Sequence, residues 1–255
     1  ELSFAERGFQ DVSVTADWPA EEVNPEQPQA VQPGGRWHLG ANVMGRMLPL
    51  SVEMEGTLVG RNIAIGKQTV PQVEIPVHAN VDPEGVQVAT RPFRLLSGSW
   101  QATGRYDLST ELTNVNLVVE DMSLAAAAGV VGVPVESAGS AQATIQLAMP
   151  GLDIQDVVAT GRWAASDIDI PPVQVQAARG AIRISNSIVR LDDIELEQEG
   201  GRAHADVEFR LDRPEDMAVE FETEAWPLRF QDDNLAVFAG CQADLRVNVI
   251  EKGAQ

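Results

Sequence analysis

The sequence is poor in several things at once, and each shortage removes a class of function. Cys241 is the single cysteine, which excludes an internal disulfide and any zinc site built on several thiolates. Aromatic residues are 5% of the 255, so an apolar surface here must consist mainly of Val, Ile, Leu and Ala, with few polar handles. Lys and Arg number 18 against 38 Asp and Glu, for a net charge of -20. Without a basic stripe nucleic acid is not an expected partner, and anionic membrane surfaces repel the chain. No stretch approaches the roughly 20 apolar residues of a transmembrane helix.

Catalytic and metal-binding patterns are missing as well. His38, His78 and His204 lie in three separate segments without the spacing of metal ligands. There is no Gly-rich phosphate loop, no nucleophile elbow and no helix-borne pair of histidines. Asp192-Asp193 and Asp232-Asp233-Asn234 lack the alternating ligand spacing of a calcium loop and read as turn formers. No catalytic residue, metal or cofactor is assigned, and the chain reads as a non-enzyme.

What the sequence does have is alternation. Thr144 to Leu147, Ala181 to Ile184, Ile188 to Leu191, Ile194 to Glu197, Val207 to Leu211 and Val219 to Glu222 each place apolar and polar residues in turn. Side chains of period two give each strand one apolar and one charged face. Glu195 with Glu197, and Glu220 with Glu222, fall on the charged one. The same grammar begins earlier, at Trp37 to Val43, Leu50 to Leu58, Val73 to Val77, Val86 to Ala89, Trp100 to Leu108 and Val115 to Val119. The fold class expected is therefore all-β, an elongated antiparallel sheet that covers its dry face by folding on itself, by packing on a second sheet or by holding something apolar.

Other elements are few. Residues 1–33 read as an N-terminal strand, Val12 to Thr15, followed by a Pro/Glu-rich loop, and 34–255 as the repeated strand segment. Leu124 and the alanines from Ala125 to Ala128 predict one short helix within residues 122–133, capped by Asp121 or Ser123 and stopped before Pro134. A helical turn from Asp232 through Phe238 and a last strand from Ala243 to Ile250 are expected near the end. Two self-similarities compete. Trp37, Trp100 and Trp163, each preceded at two residues by Gly, recur at one constant interval, whereas a longer match aligns Gly98 to Leu108 with Gly201 to Leu211.

Residues 121–228 together resemble the AsmA/TamB superfamily of bacterial envelope proteins. The resemblance rests on the Leu/Ala helix before Pro134, on "AGSAQATIQLAMPG", on "ATGRWAASDIDI" and on "AIRISNSIVRLDDIELEQEGGRAHADVEFRL". In the last, a strand, a basic-apolar-Asp-Asp step, a second strand, a Gly-Gly turn and a third strand follow one another. "PFRLLSGSWQATGRYDL" is similar to an earlier copy of the same element.

The resemblance implies a half-open, taco-like β-groove in the periplasm, in a protein anchored in the inner membrane through a segment outside this chain. It further implies conduction of phospholipid or other acyl chains between the membranes, or assistance to outer-membrane protein assembly, with outer-membrane assembly proteins as partners. The lining would be Ile145, Leu147, Ile182, Ile184, Val189, Leu191, Ile194, Leu196, Val207, Phe209, Leu211, Val219 and Phe221. The same residues would equally serve the closed core of a β-rich scaffold, since alternation alone does not separate a groove from a sandwich.

Overall fold

Strands form where the period of two predicts them, and they join edge to edge in chain order. The structure, a computed structural model, describes residues 9–19, 34–47, 49–65, 68–131, 138–151, 156–170, 173–198, 201–210, 213–229 and 235–248. The strands are β1 (Phe9–Pro19), β2 (Gly34–Met47), β3 (Leu50–Ile65), β4 (Gln68–Val81), β5 (Gly85–Thr90), β6 (Phe93–Leu95), β7 (Gly98–Asp107) and β8 (Leu112–Ser123). After helix α1 (Leu124–Val131) come β9 (Ala138–Pro150), β10 (Val158–Ile170), β11 (Val173–Ser185), β12 (Ile188–Gln198), β13 (Gly201–Arg210), β14 (Arg213–Arg229) and β15 (Leu235–Asn248). All lie in one 15-stranded sheet in sequential order, with β6 beside the main path and paired only to β7. Every pairing is antiparallel.

The all-β class, the elongated antiparallel sheet and the single short helix agree with the sequence. The sheet is open and uncurled, so the dry face is left open along its length without the two halves rolling towards each other. β1 is hydrogen-bonded to β2 in this same sheet. The loop expected before Pro33, the Asp232-Asp233-Asn234 turn and Leu211 lie outside the described residues. β15 begins at Leu235, so the helical turn expected through Phe238 is extended strand instead. β10, Ala-rich and interrupted by Gly161, does not read as a run of alternation, and β6 is too short to do so.

Asp192-Asp193 is not a turn. β12 runs straight through it, and the pairing with both neighbours shifts register there. Asp193 takes a left-handed φ of 52°, the backbone of a β-bulge, which Asp tolerates better than a branched residue does. The extra residue explains the sequence. Val189 and Leu191 are in phase with each other, Ile194 and Leu196 are out of phase with them, and the bulge returns both pairs to one face. Asn62 in β3, Asp121 in β8 and Asp167 in β10 share this conformation.

The helix starts where the cap was expected, with the Ala126 N–H donating to Ser123 Oγ at 3.4 Å. It packs against β8 and β9, and Gly129 lies so close to the Gln68 side chain that a Cβ there would overlap it. β5 pairs with β4 only from Val77 to Val81. Pro71 falls in the half of β4 that β5 leaves unpaired, where a missing N–H costs no ladder hydrogen bond on that side.

Of the two internal repeats, strand direction favours the longer. β7 and β13 run the same way along the sheet and so do β8 and β14, whereas Trp100 in β7 and Trp163 in β10 sit on strands of opposite direction. Trp37 and Trp163 share local packing instead, each against a cross-strand glycine. A Cβ on Gly60 would come within 2.7 Å of the Trp37 ring, and one on Gly180 within 3.3 Å of Trp163 Nε1.

The molecule is thinly covered. Its accessible surface is 17440 Å², whereas a compact monomer of 27.5 kDa exposes about 11,000 Å². Elements that touch substantially are sheet neighbours, β6 against β4, or α1 against β8 and β9. Apart from Ile63, 2% exposed, no large side chain among the described residues is fully buried, and alanines supply much of what core there is. Val175, Ala178 and Ala203 make its densest part, with Trp163, Ile168, Leu196 and Phe221 packed against them.

Candidate functional site

Register decides which side chains share a face, because residues directly opposite in an antiparallel pair point the same way. Followed from strand to strand, Val43, Met54, Ala79, Val88, Gly104, Val115, Leu147, Ala159, Ile184, Val189 and Phe209 stand opposite one another in an unbroken row from β2 to β13. Ten strand spacings of about 4.8 Å make that row about 48 Å long. A second row beside it runs Leu117, Ile145, Gly161, Ile182, Leu191, Val207, Val219 from β8 to β14. Neither row contains a charged or hydrogen-bonding side chain.

Of the thirteen lining residues expected from the sequence, twelve are described, and the register brings all twelve to this one face. Ile145, Leu147, Ile182, Ile184, Val189, Leu191, Val207, Phe209 and Val219 belong to the two rows. Ile194 opposes Ala205, which opposes Phe221, and Leu196 opposes Ala203. Val189 and Ile194 are buried, and the other ten are half-buried. Sequence reasoning stopped short of the first half of the face, where Val43, Met54, Val88 and Val115 continue it, and of Ala159 and Trp163 in β10. The alternation of the first half is visible in the sequence, and only the cross-strand register joins it to the rest.

Burial separates an open lining from a closed core. In a closed core the large aliphatic side chains are nearly inaccessible. Here Leu147, Ile182 and Ile184 keep part of their surface, shielded by their neighbours in the sheet and not by a second layer, and Val88 in mid-row is 39% exposed. Two polar atoms on or beside the face, Trp163 Nε1 and Gln198 Oε1, are buried with no hydrogen-bond partner.

The opposite face is charged and internally paired. Arg179 reaches Glu195 through Nε at 2.7 Å, Arg183 reaches Asp192 at 2.6 Å, and Arg190 reaches Glu208 at 2.7 Å. The Arg179 guanidinium, by its hydrogen bond and its charge, holds the Glu195 carboxyl below the usual range. The hydrogen bond from Arg183 does the same for Asp192. Apart from the mostly covered Asp192 carboxylate the members of these pairs are solvated, so they fix which face meets water more than they add stability. Shallow concavities of about 680 Å³, around Arg162, Arg179 and Glu195, and about 610 Å³, around Asn80, Asn116 and Gln146, lie on this polar side.

His38, His78 and His204 stay on separate strands of the polar side, His78 3.8 Å from Glu53. Among the described residues no group of three or more His, Cys, Asp or Glu side chains is placed to hold a metal ion, and no helix is long and apolar enough to cross a membrane. No family model, curated protein or solved structure matches the chain.

Proposed function

We propose that this chain is a lipid-handling segment of the AsmA/TamB kind, a non-enzymatic envelope protein whose open apolar face takes the acyl chains of phospholipids and passes them along the row of strands between inner and outer membrane. The observation that carries the reading is the continuous row from Val43 to Phe209, uncharged throughout and without a second protein layer over it.

The physical case is one of cover. An apolar face of this extent in water is costly, and each methylene of an acyl chain laid on it contributes about 0.8 kcal/mol. The row is longer than the roughly 30 Å hydrocarbon thickness of a bilayer, so acyl chains fit along it with room to move on. The uncharged lining grips no headgroup, as suits a surface along which a lipid slides. The reading places the protein in the periplasm, held to the inner membrane by a segment outside this chain.

The alternative, a scaffold with a closed core that assists outer-membrane protein assembly, asks for a sealed interior, and an accessible surface of 17440 Å² weighs against it. Native mass spectrometry of the chain purified from a membrane-containing host tests the proposal. Phospholipid mass adducts that survive desalting are expected, and a lipid-free chain that also fails to take up added phospholipid would leave the scaffold reading standing.

A further inference from the structure

Two arginines of the polar side stand at directly opposed positions of neighbouring strands. Arg36 in β2 stands directly opposite Arg61 in β3, and both are exposed. Directly opposed residues have Cβ atoms about 5 Å apart, and like charges so placed destabilise a sheet. In a chain of net charge -20 carboxylates to separate them are plentiful.

The same juxtaposition occurs twice more, at Arg210 opposite Arg213 and at Arg183 opposite Arg190, and at the second it is resolved differently. Arg183 in β11 opposes Arg190 in β12. There each guanidinium has its own carboxylate, Asp192 for Arg183 and Glu208 for Arg190. Arg36 and Arg61 have no such partner among the described residues. The residues directly across the ladder are Pro19 for Arg36 and Gln72 for Arg61, and Glu74, which opposes Val59, accepts a hydrogen bond from Gln72 at 2.8 Å. The backbone fixes the pair in place. Trp37 and Gly60, the next residues along, oppose each other on the apolar face, and the ring of Trp37 fills the space a Gly60 side chain would need.

We infer that Arg36 and Arg61 form an anion site that takes a phosphate group. Two planar guanidinium forks carried at directly opposed positions of adjacent strands match the oxygens of a phosphate mono- or diester, each fork able to donate two parallel hydrogen bonds. The bound anion supplies the charge that carboxylates supply at Arg183 and Arg190. The phosphate is either free or carried by a lipid headgroup, and the site stands apart from the acyl-chain face, being on the other side of the sheet.

The test is thermal unfolding of the full chain, and of its Arg36→Gln/Arg61→Gln variant, at constant ionic strength with chloride replaced by inorganic phosphate, and again with phosphatidylcholine vesicles with and without phosphatidic acid. Phosphate is expected to raise the melting temperature of the parent chain and not of the variant, with affinity reduced about tenfold or more on losing either arginine. A response confined to vesicles containing phosphatidic acid, and lost in the variant, would assign the phosphate to a headgroup. The same response in parent and variant, or none in the parent with either probe, would overturn the inference. Failure of acyl-chain capture by the opposite face would leave it untouched.

Discussion

Val189 in β12 stands directly across from Ile184 in β11, on the face that no second layer of protein covers. The two residues sit towards the β13 end of a row in which every neighbour is apolar or glycine. A charge at this point interrupts the row without touching the polar side. Ile184→Glu is expected to lower phospholipid recovered with the purified chain several-fold. Thr160→Glu, one strand away on the polar face and directly opposite Arg183, is expected to leave recovery unchanged. Equal recovery from both variants, measured by lipid extraction, would detach lipid binding from this row.

Openness also has an energetic signature. Ile63 is 2% exposed, so Ile63→Ala is expected to cost about 2–5 kcal/mol, the usual range for truncation in a packed site. Leu147 is half-buried, and Leu147→Ala in lipid-free protein is expected to cost less than about 2 kcal/mol, since little surface is withdrawn from water there. Urea unfolding of the two variants measures the difference. Matching losses would mean that Leu147 belongs to a closed core.

Asp193 carries a structural role that its charge does not reveal. At a φ of 52° a β-branched side chain is strained, so Asp193→Val is expected to destabilise by about 1–3 kcal/mol, while Asp193→Gly is tolerated, because the hydrogen bond to Asp206 Oδ1 is donated by the backbone N–H of Asp193. Deleting the residue should be worse than either substitution, since it turns Ile194 and Leu196 to the polar face. Denaturant midpoints of the three variants rank these costs.

Asp107 sets a pH dependence at the turn between β7 and β8. Its carboxylate accepts hydrogen bonds from the Ser109 hydroxyl at 2.6 Å and from the Thr110 and Ser109 N–H groups at 2.9 Å. These, the hydroxyl first, lower its pKa from 3.8 to about 2. A depressed carboxylate contributes stability that is fully present above the unfolded value and is lost as pH falls through the folded one. Asp107→Asn is therefore expected to be less stable than the parent above about pH 5, with the gap closing towards about pH 2. A gap independent of pH in urea titrations would assign the turn's stability to other groups.

The architecture was readable from the chain because period-two alternation is a local signal, and a sheet that adds strands in sequence order needs nothing beyond local signals to be laid out. The capping of α1 by Ser123 is local in the same sense. Three things were hidden for physical reasons. β10 reads weakly because Ala159, Ala164, Ala165 and Gly161 carry little hydrophobic contrast. The break at Asp192-Asp193 looks like a turn because bulge and turn use the same residue types for the same left-handed backbone. The joining of Val43 through Phe209 into one row depends on register between strands far apart in sequence, which no single strand's pattern contains. The opposition of Arg36 and Arg61 is hidden in the same way, since the two lie 25 positions apart in the chain.

The most direct measurement of the central claim is site-specific photocrosslinking, with a photoreactive residue in place of Ile184 or of Thr160, in the presence of labelled phospholipid. Label covalently attached at position 184 and absent at position 160 is the expected result. No attachment at 184, or attachment at both positions alike, would contradict an apolar face that holds acyl chains.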